Sequence, residues 1–269
     1  MSEFTLASGK KVKQPLNKIW FVVGAILVLF MIFSQFITYN ISNIALSELG
    51  VILKKLFVPY GGRTWADYFS YFPEMMTPLT QSIQISLGGT IIGSLLAFPV
   101  AFFTAHNVIK NRYISTPIKF MMNFIRSVPT LILAVIATFL VGNGVLSGII
   151  AITLFSFGIM SKMLYEAIET VDMSPFEALE SSGANKIVAF RYAILTQIFP
   201  IYLGYMIYVF EINVRASAIL GYVGAGGIGQ VISDNILYNY NRVGVAIITI
   251  FVTVIIVQLV SNYARRKLK

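Results

Sequence analysis

Residues 174–200 read Ser-Pro-Phe-Glu-Ala-Leu-Glu-Ser-Ser-Gly-Ala-Asn-Lys-Ile-Val-Ala-Phe-Arg-Tyr-Ala-Ile-Leu-Thr-Gln-Ile-Phe-Pro, beginning as a polar island between two strongly apolar segments. Ser174 followed by Glu177 has the form of a capping box, and Pro175 is expected at the first helical position, where its missing N–H costs nothing. Gly183 suits the left-handed residue that ends a helix, and Asn185 suits the cap of the next one. A short helix, a glycine stop and a new helix on one membrane face form a knob that is expected to hand force or signal to a soluble partner. On it, Phe176, Ala178 and Leu179 offer apolar surface, while Glu177 holds the cap and meets the partner.

Composition sets the class. The chain is 57% hydrophobic and 12% charged, about half the charged share of a soluble domain. Its mean hydropathy is +0.79. The absence of cysteine excludes disulfide scaffolds, cysteine metal sites and thiol catalysis, and with His106 the sole histidine, a histidine-built metal centre is not expected. A formal charge of +9 suggests nucleic acid at first sight. The basic residues, however, flank apolar runs, as they do when they anchor helices in a bilayer.

Runs of about 20 apolar residues predict an all-α, polytopic membrane protein. Six spans are expected, at Ile19–Thr38, Leu79–Thr104, Ile118–Val141, Val145–Ile168, Ala193–Ile212 and Val243–Val260. The first is read as an anchor rather than a cleaved signal. The expected layout is a tail over 1–18, then an anchor with an external interfacial segment rich in Trp65, Tyr68, Tyr71 and Phe72 over 19–78. A five-helix core follows over 79–260, containing the 174–192 knob, and a basic tail over 261–269 ends the chain. Gly89 and Gly93 stand four apart, a spacing that lets membrane helices approach closely. Pro99 and Pro200 fall inside spans, where neighbours must satisfy the freed carbonyls.

Orientation follows from lysine and arginine. With the N-terminus inside, the cytoplasmic face carries Lys10, Lys11, Lys13, Lys18, Lys110, Arg112, Lys119, Lys162, Lys186, Arg191, Arg265, Arg266, Lys267 and Lys269. The outer face carries Lys54, Lys55, Arg63, Arg215 and Arg242. The positive-inside rule thus predicts both termini and the knob in the cytoplasm.

Gly224-Ala225-Gly226-Gly227-Ile228-Gly229 satisfies the dinucleotide pattern G-x-G-x-x-G letter for letter. That pattern needs a preceding strand and an acidic residue about 20 positions on. Here an apolar span precedes it and Thr249 sits near the acidic position. The glycines are read instead as an external loop that packs tightly where the chain dips into the bilayer. No G-x-x-x-x-G-K-[ST] occurs, so this chain is not expected to hydrolyse ATP by a P-loop.

Glu177-Ala178-Leu179, three residues, Gly183 and nine residues to Ala193 and Leu195 resemble the signature loop of ABC importer permeases. The chain departs from that pattern with Leu179 for Ala, Ala193 for Ile and Thr196 for Pro. Three further stretches are similar to phosphonate transporter permeases: Arg126-Ser127-Val128-Pro129, Glu211-Ile212-Asn213-Val214-Arg215-Ala216, and Leu220 through Gly229. The resemblance covers roughly residues 60–265. It implies a type I ABC importer permease fold and a homodimer working with two ATP-binding subunits and an external solute-binding protein. It also implies a cargo of phosphonate, phosphite or a phosphate ester. Methionine or another small polar solute is the alternative cargo. A membrane enzyme or scaffold is the third class, for which no nucleophile–base pair, buried carboxylate pair or metal-ligand cluster is evident.

Ionisable residues inside spans are functional candidates by default. Glu211 and Arg215 are four apart, so they either pair with each other or line a pathway. Arg126, about 12 Å into its expected span, either snorkels to the headgroups or biases that pathway toward oxyanions. His106 is read as a solvated interfacial residue. Glu166, Glu169 and Asp172 are read as a solvated acidic face with Lys162 nearby. No cofactor or metal is expected.

Overall fold

The computed structural model describes residues 3–5, 11–13, 18–36, 46–108 and 111–268. The chain divides into two units, residues 1–51 and 52–269. In the first, β1 (Glu3–Thr5) pairs antiparallel with β2 (Lys11–Lys13), Phe4 facing Val12, where only a tail was expected. α1 (Lys18–Phe36) is apolar on all sides. The end of the first expected span, residues 37 and 38, lies outside the described residues.

α2 (Leu46–Phe57) begins in the first unit and ends in the second. The segment expected at the interface contains α2 and α3 (Trp65–Phe69), the latter opened by a true capping box between Thr64 and Asp67. Its last residues, from Phe72, already belong to α4 (Phe72–Thr104). Pro73 sits in the first turn of α4, where a proline removes no helical hydrogen bond, so the helix starts well before the apolar run does.

α4 packs along α7 (Val145–Glu169). The two small residues noted in the sequence make this possible. A β-carbon on Gly89 would lie 2.5 Å from Ile152 Cγ2, and one on Gly93 would lie 2.6 Å from the Thr153 carbonyl oxygen. The buried hydroxyls of Ser86 and Thr90 donate back to the carbonyls of Ser82 and Ser86, so their polarity is satisfied within the helix.

The third expected span is broken. α5 (Arg112–Ser127) and α6 (Thr130–Val141) meet at 90°. Pro129 has no N–H to continue the ladder and pushes Val128 into extended geometry, at φ −76 and ψ 122. The fifth span is longer than expected. α9 (Lys186–Ala189), a π-helical turn (Phe190–Ile194) and α10 (Leu195–Leu220) run on into a 3₁₀ turn at Gly221–Val223. After α11 (Ile228–Asn235), α12 (Tyr240–Lys267) carries helix through the expected basic tail to Lys267. Hydropathy ends at Val260, but Ser261-Asn-Tyr-Ala-Arg-Arg-Lys contains no helix breaker.

Among the described residues, four helical stretches are long and apolar enough to cross a bilayer, or five if α5 and α6 form one broken span. α1 contributes a shorter apolar stretch, Ile19–Gln35, so the expected count of six is not reached on length.

Candidate functional site

α8 (Ser174–Ser181) is the short helix of the knob. Its stop is the Schellman arrangement expected from Gly183, which has φ +87. The Gly183 N–H donates to the Glu180 carbonyl at 2.9 Å and the Ala184 N–H to the Leu179 carbonyl at 3.0 Å. Asn185 caps α9 by accepting from the Ile187 N–H. The start differs from expectation. Ser174 is the first helical residue and Pro175 the second, because Met173 takes helical dihedrals in the cap position. The Ser174 hydroxyl then turns back and donates to Asp172 Oδ1 at 2.7 Å, and the Ser174 N–H donates to the same oxygen at 2.9 Å. Asp172 therefore replaces the Ser174–Glu177 box, leaving Glu177 exposed and uninvolved in capping. These two hydrogen bonds from Ser174 to its charged form, the side-chain one first, hold the Asp172 carboxyl below the ordinary carboxylate range.

The faces of α8 are also redistributed. Phe176 and Leu179 are half-buried against the apolar cluster of Leu164, Ile168, Ile194 and Ile198, so they seat the helix on the bundle. Glu177 and Ala178 form the outward face. A cleft of about 640 Å³ lies alongside, lined by Asn107, Met173, Phe176, Glu177, Glu180 and Lys186 among others.

The base of the knob is tied to the bundle by polar contacts. Gln197 Nε2 donates to the Asp172 carbonyl at 3.0 Å and to the Ala193 carbonyl at 2.8 Å. Asn107 Nδ2 donates to the Ile168 carbonyl at 2.6 Å. The acidic residues expected to form one face diverge. Glu166 pairs with Lys162, whereas Glu169 accepts from Lys119 Nζ at 2.9 Å and from the His106 backbone N–H. Glu169 thus fastens α5 and the end of α4 to α7. The His106 residue itself is exposed.

Arg126 occupies the exposed last turn of α5, in the first arm of the bent α5–α6 pair, with its backbone against Gly158 of α7. Among the described residues no hydrogen bond or ion pair joins it to Glu211 or Arg215. Glu211 and Arg215 do pair: Arg215 Nη2 donates to Glu211 Oε1. The carboxylate is shared, because Arg265 Nη2 donates to Glu211 Oε2 at 3.0 Å. Two positions from Glu211, buried Asn213 donates from Nδ2 to Thr90 Oγ1 and Ser156 Oγ, each at 2.7 Å, joining α10 to α4 and α7. Arg265 and Asn213 were not singled out in the sequence. A polar Asn inside an apolar run was the available signal for one, and the helical compatibility of residues 261–267 for the other.

The glycine run forms a turn followed by α11, with no strand before it. Gly224, Gly226 and Gly227 have φ near +80, which only glycine adopts readily. Gly229 lies so close to α10 that a β-carbon on it would sit 1.9 Å from the Ala218 carbonyl oxygen. The run is a packing device between helices. Among the described residues no cluster of three potential metal ligands occurs.

A bundle of long apolar helices bearing a short glycine-stopped helix with a polar cleft beside it is the architecture of a multi-pass membrane protein. Residues 89–269 match the family described as the binding-protein-dependent transport system inner membrane component, and the chain belongs to that family. It is an ABC importer permease of the kind found in phosphite and phosphonate systems. It is 34% identical to the phosphite transport system permease protein PtxC of Stutzerimonas stutzeri, over 77% of this chain and 76% of that protein. It is also 34% identical to the phosphate-import permease protein PhnE of Mycolicibacterium smegmatis, over 72% of this chain and 37% of that protein. Among solved structures, an inward-facing MetNI methionine ABC transporter chain superposes with a TM-score of 0.64. That likeness covers 73% of this chain and 98% of the other at 22% identity, which establishes the shared type I permease fold.

Proposed function

We propose that the protein is the transmembrane subunit of an importer that moves phosphonate, phosphite or a phosphate ester across the cytoplasmic membrane. ATP hydrolysis on a separate subunit drives the movement. Two copies of the permease work with two ATP-binding subunits and an external phosphonate-type solute-binding protein, and both termini lie on the cytoplasmic side. The permease itself performs no catalysis. The glycine run is the external loop.

The observation that carries this reading is α8. Its two ends are fixed by Asp172 and Gly183, its inner face is seated by Phe176 and Leu179, and its outer face presents Glu177 and Ala178 beside a polar cleft. A helix braced in this way transmits displacement rather than absorbing it. The cargo is argued from the similarity to phosphite and phosphate permeases, which exceeds the similarity to the methionine transporter.

The test is reconstitution in liposomes with the partner ATPase and binding protein. Phosphite and methylphosphonate are expected to stimulate ATP hydrolysis and to accumulate, and methionine is expected to do neither. Methionine accumulation without uptake of any phosphorus oxyanion would overturn the reading.

A further inference from the structure

Glu211 holds two arginines from two different helices, Arg215 of α10 and Arg265 of α12. The carboxylate is buried, its residue 6% exposed. One arginine suffices to neutralise one carboxylate. The second leaves the site with an excess positive charge. Neither guanidinium is enclosed by its partner: the Arg215 and Arg265 side chains remain 46% and 29% exposed. A guanidinium carries five N–H donors. Among the described residues, Arg215 donates through Nη2 alone, and Arg265 through Nη2 to Glu211 and Asn262.

Arg265 also opens onto a cavity of about 500 Å³, lined by Met163, Pro200, Gly204, Tyr205 and Tyr208 among others. Its guanidinium lies 5.6 Å from the centroid of the Tyr208 ring. The cavity therefore offers one cation and two phenolic side chains among apolar walls.

We propose that Arg215 and Arg265, held together by Glu211, form a site for a phosphorus oxyanion on its way through the permease. The proposal rests on the transport reading above. A planar guanidinium fork matches the oxygens of a phosphonate or phosphite, and the excess charge discriminates against net-neutral solutes such as amino acids. Glu211 is the positioning residue: without its carboxylate, two like charges would repel each other apart. The same chemistry is present in phospholipid headgroups, and Arg265 lies in the last turn of α12, within reach of a membrane surface. The experiment therefore separates the transported anion from the lipid.

Phosphite uptake is measured in proteoliposomes containing the ATPase and binding protein, made from phosphatidylcholine alone or with added phosphatidylglycerol. Arg265→Gln is expected to lower uptake about tenfold in both lipids, the effect of one charge-assisted hydrogen bond. It should still co-purify with the ATPase. Arg265→Lys keeps the charge without the fork and is expected to fall between wild type and Arg265→Gln. It decides the matter if Arg265→Gln fails to assemble, because full uptake by Arg265→Lys removes the role of the fork. A loss confined to phosphatidylglycerol vesicles would assign the site to headgroups and overturn the proposal. So would restoration of uptake by Glu211→Gln combined with Arg265→Gln, which would mark Arg265 as mere neutralisation. Wild-type vesicles that take up no phosphorus oxyanion overturn the transport reading and this site together. Wild-type uptake matched by Arg265→Gln overturns the site alone.

Discussion

Asn213 of α10 donates from Nδ2 to Ser156 Oγ of α7 at 2.7 Å, across a part of the bundle where both residues are fully buried. The second proton of the same amide goes to Thr90 Oγ1 of α4, also at 2.7 Å. One side chain thus bonds the three helices at the centre of the fold. Interhelical hydrogen bonds in membranes average about 0.6 kcal/mol and reach about 1.7. Asn213→Ala is therefore expected to destabilise the purified permease by about 1–3 kcal/mol, and Ser156→Ala, which removes one acceptor, by about half as much. Unfolding of the detergent-solubilised variants checks the order. Equal effects of the two substitutions would show that Asn213 does not join both helices.

Asp172 gives the start of α8 a defined pH dependence. Its folded pKa is depressed, so its capping contribution is complete above the unfolded value, about 3.9. That contribution is lost only as pH falls through the lower folded value. Amide protection over residues 174–181, read by hydrogen exchange, is expected to be unchanged between pH 8 and pH 5. Asp172→Asn should reduce it across that whole range, and Glu177→Gln should leave it unchanged. Reduced protection in Glu177→Gln would restore the capping box that the sequence suggested.

The contrast between Asp172 and Glu177 shows where sequence reading stops. Gly183 and Asn185 were legible because their roles are local: a positive φ favours glycine, and a helix start favours a short polar acceptor. The start of α8 was not legible because Ser174-Pro-Phe-Glu and Asp172-Met-Ser174 both offer acceptors; with Met173 in the cap position, Asp172 just before it takes that role. The apolar runs announced most of the long helices, but the third expected span is broken at Pro129. The 90° turn there depends on how α5 lies against α4 and α7, which no local pattern encodes. Arg265 was hidden for a similar reason. A basic residue beyond the last apolar run looks like a topological anchor until α12 delivers it to Glu211, 54 positions away in sequence.

On the proposal that α8 couples transport to ATP hydrolysis, Gly183 is the residue whose left-handed φ of +87 ends the helix. A β-carbon there would meet no neighbour within 4 Å, so any effect of substitution comes from the backbone. The left-handed conformation is disfavoured for a β-branched residue by about 1–2 kcal/mol. Gly183→Val is therefore expected to loosen α8 and to uncouple ATP hydrolysis from uptake while membrane insertion persists. Glu177→Lys, on the outward face, should uncouple without loosening the helix. Normal transport by both variants would remove α8 as the coupling element.

Topology follows from parity. α8 and α11 stand at opposite ends of the helical stretch Lys186–Val223, which is long enough to cross a bilayer, and α12 then returns across the same distance. Ser181 and Lys267 should share one face, with Leu237 on the other, and the proposed orientation puts the first two on the cytoplasmic side. All three are exposed, whereas Ser261 is buried and unsuitable as a probe. The chain has no cysteine to remove. In intact cells an impermeant maleimide is expected to label Leu237→Cys, and to label Ser181→Cys and Lys267→Cys only after the membrane is opened. Labelling of Ser181→Cys from outside would invert the protein and move α8 beyond the reach of a cytoplasmic ATPase.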